Sequence, residues 1–337
     1  MELIQTINCG DDFSLLDFQL TEIMDSGLSG IRLNLNKYIQ SSEIDSLSRL
    51  FEIVFKYKER YKFLYDLPFP YNKTRIMEYK IMGNNIKKDE VYTLYFNQND
   101  FIKAQENAIL LSKSKNSYNN SKVVYYGDGQ GAFEKVNETK DRVVLKAICD
   151  FQIYKRKSIT YGKGSINDKI EPVLNMIGDV CSTLDYGCAL SLVENEKDLS
   201  EFMNLTDKKI QLVSKIETNE SINNLEEIVK RSDGIMLARG DLALLNPYFN
   251  LFQTLDDIIK MAKHYHKSVY MATDILQSLD CGRYIPSRSD IMDLSLACSW
   301  ECDYVILGYH PNTEILKRKI NAAEQICNGF KRGKYRA

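Results

Sequence analysis

No apolar run in the sequence reaches the roughly 18 residues a helix needs to cross a bilayer, which excludes that class of membrane protein. Neither sign of charge is in excess. Forty-four basic against 46 acidic residues give a formal net charge of −2, which argues against nucleic acid as the main partner. The opening MELIQTINCGDDF lacks the basic-then-apolar order of a secretory leader, so a cytoplasmic location is expected. No CxxC pair occurs among the eight cysteines (9, 149, 181, 188, 281, 298, 302 and 327), several of which lie in apolar runs. They read as reduced, mostly buried thiols. Cys298 and Cys302 have helical spacing, which marks a core face more readily than a metal site. Internal repeats and low-complexity segments are also missing. What is present is 337 residues at 44% hydrophobic content, ample for a sizeable core.

The order of patterns points to parallel β/α units. Strand-like LIQTIN (3–8), a helical pattern stopping at Gly27, a strand from Gly30 to Leu35, a helix over 43–61 and KFLYDL (62–67) follow one another through short links. From about 76 to 156 the alternation breaks. VYTLYF (91–96), KVVYYG (122–127), GAFEKV (131–136), RVVLKAI (142–148) and FQIYKR (151–156) crowd together, with turns at Gly127, Gly129 and Gly131. The piece DFIKAQENAILLSKSKNSYNNSK reads as a helix running into a polar loop. Alternation resumes with a helix at 166–182, CALSLV (188–193), a helix near 196–204 and the two runs of 210–242. A helix at 250–265, SVYMAT (268–273), a helix at 289–300, YVILG (304–308) and a helix from about 313 complete it. Eight strands and eight helices predict a TIM (β/α)8 barrel, an α/β fold of about 250 residues, over 1–75 and 157–337. The piece 76–156 is expected to be a small β-rich domain inserted after barrel strand 3. It could cap the barrel mouth and exclude water, or be a structural insertion alone. The basic tail KRGKYRA reads as a frayed end.

The chemistry is concentrated in IQLVSKIETNESINNLEEIVKRSDGIMLARGDL, residues 210–242. Its first apolar run closes on Lys215 and Glu217, its second on Arg239 and Asp241. Ionisable residues at the C-terminal ends of successive strands are how a barrel builds a catalytic mouth. Glu217 and Asp241 together would offer Mg²⁺ or Mn²⁺ two hard oxygen ligands, with water and substrate completing the shell. Lys215 adds a compact positive charge for an anion. A surface ion cluster on another α/β fold is the alternative. Upstream, Arg32, Asn34 and Asn36 alternate along one strand and share a face. The arginine suits a phosphate oxygen pair. Asn34, Asn36 and Asp66 could ligate a monovalent cation, or be polar barrel-end residues satisfying backbone groups.

These residues also resemble a known family. SKIETNES followed by SDGIMLARGDL is similar to the metal and phosphate strands of pyruvate kinases. IRLNLN (31–36), LYD (64–66), YYGDG (125–129), VYMATDIL (269–276) and PSRSD (286–290) match in the expected order, so the resemblance covers roughly 1–330 and is strongest over 210–308. It implies that Lys215 holds the transferring phosphoryl group and that Glu217 and Asp241 hold Mg²⁺. By the same resemblance Arg32 contacts phosphate, and Asn34, Asn36 and Asp66 hold K⁺. The amides of Gly240 and Asp241 would receive the substrate carboxylate, with Thr273 beside it and the enolate carbon. A 2-oxo acid or its enol phosphate, ADP or ATP as co-substrate, and a homo-oligomer are the implied partners.

The chain also departs from the family. After Asp66 it reads LPFPYNKTR, keeping Pro70 and one of Lys73 or Arg75 from a threonine–lysine–glycine–proline run that leads to an acid and an arginine. Lys37 replaces a histidine near the nucleotide, and Asp274 a glutamine. On the eighth strand a serine–glycine–glutamate–threonine run becomes Gly308, Tyr309, His310 and Pro311. The hydroxyl associated with protonating the enolate is therefore absent, and His310 is either a substitute acid or a surface residue. With the sequence stopping after the eighth helix, the family's C-terminal domain is expected to be absent, and with it effector control and tetramer assembly through that domain. Three functions compete. The first is phosphoryl transfer between phosphoenolpyruvate and ADP. The second is aldol or lyase chemistry on the same metal–enolate site, and the third a non-catalytic ligand sensor.

Overall fold

A computed structural model describes residues 1–7, 13–35, 44–70, 73–112, 114–117, 122–127, 129–164, 170–180, 185–205 and 210–334. In chain order the first elements are β1 (Glu2–Ile7), α1 (Phe13–Glu22), β2 (Gly30–Asn34), α2 (Ile44–Tyr57) and β3 (Lys62–Leu67). Next come β4 (Lys73–Lys80), β5 (Asn85–Ile86), β6 (Val91–Tyr95), α3 (Gln98–Lys103), β7 (Ala108–Leu111) and β8 (Ser114–Ser117). They are followed by β9 (Val123–Tyr126), β10 (Gly131–Glu138), β11 (Arg142–Ala147), β12 (Phe151–Gln152) and β13 (Ser158–Gly164). The β/α pattern then returns with α4 (Ile170–Val180), β14 (Gly187–Leu190), α5 (Glu196–Asn204), β15 (Leu212–Ile216), α6 (Asn219–Asn223) and α7 (Leu225–Arg231). The remainder is β16 (Gly234–Ala238), α8 (Arg239–Leu245), α9 (Leu251–His264), β17 (Ser268–Ala272), α10 (Gln277–Asp280), α11 (Arg288–Ser299), β18 (Tyr304–Leu307) and α12 (Thr313–Lys334).

Eight parallel strands close a barrel in the order β1, β18, β17, β16, β15, β14, β3, β2. Such strands are buried on both faces, which is why they read as continuous apolar runs. Period-two alternation still divides their side chains. Leu3, Ile7, Ile31, Phe63, Tyr65 and Leu190 pack in the layer shared with the helices. Ile4, Leu64, Ala189, Val213, Met236 and Ile306 fill the barrel interior. Three tyrosines plug the N-terminal end: Tyr270 stacks on Tyr304 at 4.4 Å and Tyr186 meets Tyr304 edge-on at 5.0 Å. A Cβ at Gly30 would lie 2.3 Å from the Tyr186 ring, so β2 needs glycine there. Capping boxes start α5 (Asn195 with Asp198), α6 (Thr218 with Ser221) and α11 (Ser287 with Asp290), fixing where those helices leave the strand ends.

The contacts divide the chain into a unit of 1–70 and 167–337 and a second unit of 71–166. The second unit is wider than the 76–156 expected, because β4 and β13 pair with each other and belong to its sheet. That sheet runs β4, β7, β6, β11, β10, β9, β13, β8, and an additional β4–β13 pairing closes its first seven strands. Ile76, Tyr92, Leu94, Ile109, Tyr126, Phe133, Val143 and Leu145 form its core. Two local expectations are corrected. Residues 108–111 are strand β7 rather than helix or loop, because α3 stops at Lys103 and Asn107 at φ +54° turns the chain into the sheet. The strand expected over 151–156 is reduced to Phe151–Gln152, with Arg156 at φ +68° turning the chain toward β13.

Candidate active site at the barrel mouth

The C-terminal ends of neighbouring strands bring together a buried cluster of charged side chains. Arg32, on β2, donates from Nε to Asp66 Oδ2 at 2.9 Å, from Nη2 to the same oxygen, and from Nη1 to Thr6 Oγ1 at 3.0 Å. Asp66, on β3, has a fully buried side chain. Its other oxygen lies 3.4 Å from the Lys215 ammonium on β15. Lys215 Nζ also donates to Ser191 Oγ at 3.0 Å and lies 3.5 Å from Glu217 Oε1. Glu217 Oε2 accepts the Leu192 amide at 2.7 Å. Two cations and two anions, interlocked and buried but for part of Arg32, satisfy the condition under which ionic groups are tolerated away from water. Charge of this kind is costly to bury for stability alone.

The adjoining strands carry the other expected residues. Arg239, Gly240 and Asp241 open α8 directly after β16, so the amides of Gly240 and Asp241 fall in a helix's first turn, where backbone donors lack intrahelical partners. Thr273 follows β17 with φ +75°, and Asp274 has φ +58°. A β-branched residue in the left-handed region is strained and is held there by its surroundings. Here the holder is Arg239. It donates to the carbonyls of Ala272 (3.0 Å) and Thr273, and its guanidinium pairs with Asp293 on α11. Asn34 is the register partner of Asp66 across β2 and β3. Asn36 and Lys37 lie outside the described residues.

At the eighth strand, the Gly308 carbonyl accepts from Gln5 Nε2 (3.0 Å) and from Lys319 Nζ (3.1 Å). Lys319 is fully buried against Asp280, at 2.8 and 3.0 Å. A Cβ at residue 308 would meet only the Lys319 ammonium, at 3.5 Å, so a side chain there is sterically admissible. His310 is tied into its own loop. Its Nδ1 accepts the Asn312 amide at 3.0 Å and its carbonyl accepts from Gln19 at 3.3 Å.

Sequence reading missed four contributors: Ser191, Leu192, Thr6 and Asp293. Ser191 stood inside a stretch expected to be strand through 193, whereas β14 ends at Leu190. A lone serine in an apolar run, followed by Glu194 and Asn195, was the available signal. Among the described residues no three His, Cys, Asp or Glu side chains form a metal cage. Mg²⁺ does not need one, since it is usually held by one or two carboxylates, water and substrate oxygens. The donor set of Glu217 and Asp241 fits that requirement. Cys188, Cys302 and Cys327 are buried, Cys149 and Cys298 partly so and Cys281 exposed; Cys9 and Cys181 lie outside the described residues.

Fold and site together define a (β/α)8-barrel protein with an interlocked cluster of charged side chains at its mouth. The family model described as pyruvate kinase, barrel domain, matches residues 7–311, and the chain belongs to that family. The pyruvate kinase of Thermotoga maritima is 25% identical over 334 residues, covering 94% of this chain and 70% of that protein. That of Mycoplasma genitalium is 27% identical over 300 residues, covering 85% and 58%. Among solved structures, a pyruvate kinase from Cryptosporidium parvum superposes with a TM-score of 0.71 at 23% identity, over 96% of this chain and 69% of that one, a likeness of fold. The chain thus spans between 58% and 70% of the length of these relatives. Among the described residues no helix is long and apolar enough to cross a membrane.

Proposed function

We propose that the chain is a transferase of the pyruvate-kinase type, moving a phosphoryl group between phosphoenolpyruvate and ADP at the mouth of the barrel. The observation that carries this reading is the interlocked Arg32–Asp66–Lys215–Glu217 cluster, buried but for part of Arg32. In it two cations face the mouth from different strands, each held by a carboxylate. Arg32 binds phosphate oxygens with the guanidinium edges that Asp66 and Thr6 leave open. Lys215 follows the phosphoryl group as its charge redistributes, which requires a cation that is fixed before the reaction begins. The Gly240 and Asp241 amides take the acid's carboxylate, and Thr273 lies beside it. Glu217 and Asp241 would hold Mg²⁺ or Mn²⁺, which when bound neutralises charge on substrate oxygens. A K⁺ ion at Asn34, Asn36 and Asp66 would have to share Asp66 with Arg32 and Lys215, so it is the cofactor with the narrowest support.

A second reading is favoured by one feature. Residue 308 has no side chain, while the cluster on β2, β3 and β15 is complete. An enzyme using the same acid-binding half for aldol or lyase chemistry would keep the cluster and dispense with that hydroxyl. The deciding assay couples pyruvate and ATP formation from phosphoenolpyruvate plus ADP, with Mg²⁺, with and without K⁺. Turnover that falls about 100–1,000-fold in Lys215→Met supports phosphoryl transfer. Absence of turnover, with Mg²⁺-dependent binding of phosphoenolpyruvate or oxalate retained, overturns it in favour of the second reading.

A further inference from the structure

Among the described residues the Lys215 ammonium has three partners, and the nearest of them carries no charge. Ser191 Oγ lies at 3.0 Å, against 3.4 Å to Asp66 Oδ1 and 3.5 Å to Glu217 Oε1. Both carboxylates are also engaged elsewhere: Asp66 receives Arg32 through Oδ2, and Glu217 receives the Leu192 amide through Oε2. Ser191 is itself 3% exposed, the first residue after β14. Leu192 then adopts φ +57°, an unusual conformation for leucine that aims its amide at Glu217. A two-residue turn thus supports the lysine through a side chain and the glutamate through the backbone.

The two kinds of support differ physically. A carboxylate orients an ammonium but cancels its field, whereas a hydroxyl orients it and leaves its charge for an arriving anion. The lysine side chain is long and rich in rotamers, so an unanchored ammonium would lose its aim when an anion competes for it. We propose that Ser191 is a positioning residue for Lys215, setting the direction of the ammonium toward the anionic substrate without neutralising it. The proposal rests on the reading of Lys215 as the lysine that binds the acid's phosphoryl group.

The test compares wild type, Ser191→Ala and Ser191→Thr by three measurements: kcat and KM for phosphoenolpyruvate, calorimetric binding of phosphoenolpyruvate with Mn²⁺ present, and Mn²⁺ affinity by electron paramagnetic resonance. Removing the hydroxyl is expected to lower kcat by about 10–100-fold and to weaken phosphoenolpyruvate binding, the scale of losing an orienting partner. Mn²⁺ affinity should stay at the wild-type value, because the Leu192 amide still holds Glu217. Threonine, which keeps the hydroxyl, should restore most of the loss. Wild-type turnover and binding in Ser191→Ala overturn the proposal. So does a parallel loss of Mn²⁺ affinity and melting temperature that threonine fails to rescue, since that marks a merely structural role. If wild type itself does not turn over, phosphoryl transfer falls, and the binding measurements alone decide the part played by Ser191.

Discussion

Glu217 has two duties in the cluster, facing Lys215 through one oxygen and the Leu192 amide through the other. Glu217→Gln keeps the shape of the side chain and one acceptor oxygen, enough for the Leu192 amide, while removing its charge. The expected outcome is a fall of about tenfold or more in Mg²⁺ or Mn²⁺ affinity with the circular dichroism spectrum unchanged; unchanged affinity would refute the metal assignment. At Gly308 the open space beside Lys319 makes the reverse experiment available. Gly308→Ser should fold normally and raise the rate at which pyruvate's methyl protons exchange with deuterated water, read by nuclear magnetic resonance. No increase would show that the missing hydroxyl does not limit protonation. The thiols divide by burial. Desolvation pushes Cys302 up to about 12 from 9.0, so a maleimide reagent at neutral pH should modify exposed Cys281 first and leave Cys302 untouched in the native state.

At the scale of elements, the end of β17 is shaped by its neighbours. Thr273 and Asp274 hold positive φ because Arg239, opening α8, grips the carbonyls of Ala272 and Thr273 and is itself held by Asp293 from α11. Asp293→Ala should release the arginine and let the strained turn relax. The expected result is a KM increase for phosphoenolpyruvate larger than the loss of stability, about 1–3 kcal/mol of strain being available to redistribute. A melting temperature that collapses with no selective effect on KM would contradict this. The neighbouring cap of α11 has its own signature. Burial raises the Asp290 carboxyl, but hydrogen bonds from Ser278 and Ser287 outweigh it, so the group lies below its usual 3.8. A depressed carboxylate contributes stability that is present above the unfolded value and lost as pH falls through the folded one. Acid should therefore loosen α11 below about pH 4, and Asp290→Ala should cost roughly 1 kcal/mol at neutral pH.

Over the whole molecule, alkaline pH probes the core. Burial pushes the Tyr61 hydroxyl up to about 12 from 10.0. Its unfolded form releases the proton first, so the contribution is complete below pH 10 and is lost as pH rises through about 12. Desolvation raises Tyr186, Tyr270 and Tyr304 in the same direction. The melting temperature should fall progressively above pH 10, and Tyr61→Phe should flatten part of that fall, by up to about 3 kcal/mol from a two-unit displacement. An alkaline limb with the same slope in wild type and variant would remove Tyr61 from the account.

The barrel was legible because its signals are local. Apolar runs of strand length, helical spacing between them and short links point to eight β/α units, and the strands at 2–7, 30–34, 62–67 and 187–190 through 304–307 lie close to where those patterns put them, β14 ending short of the expected 193. Lys215, Glu217 and Asp66 were legible for a related reason, since charged residues closing an apolar run fall at the strand's C-terminal end, and Arg32 was legible from its alternation with Asn34 along β2. The inserted sheet was less so. The pairing of β4 with β13 joins residues about eighty positions apart, and no local pattern announces a partner that distant. The same distance hides Ser191, whose meaning comes from a lysine 24 residues away on the next strand. Sequence alone determined which residues carry charge and on which strand each sits. Only the tertiary structure decided their partners, because closing the barrel sets strands β3, β14 and β15 side by side and turns separate ionisable residues into one interlocked cluster.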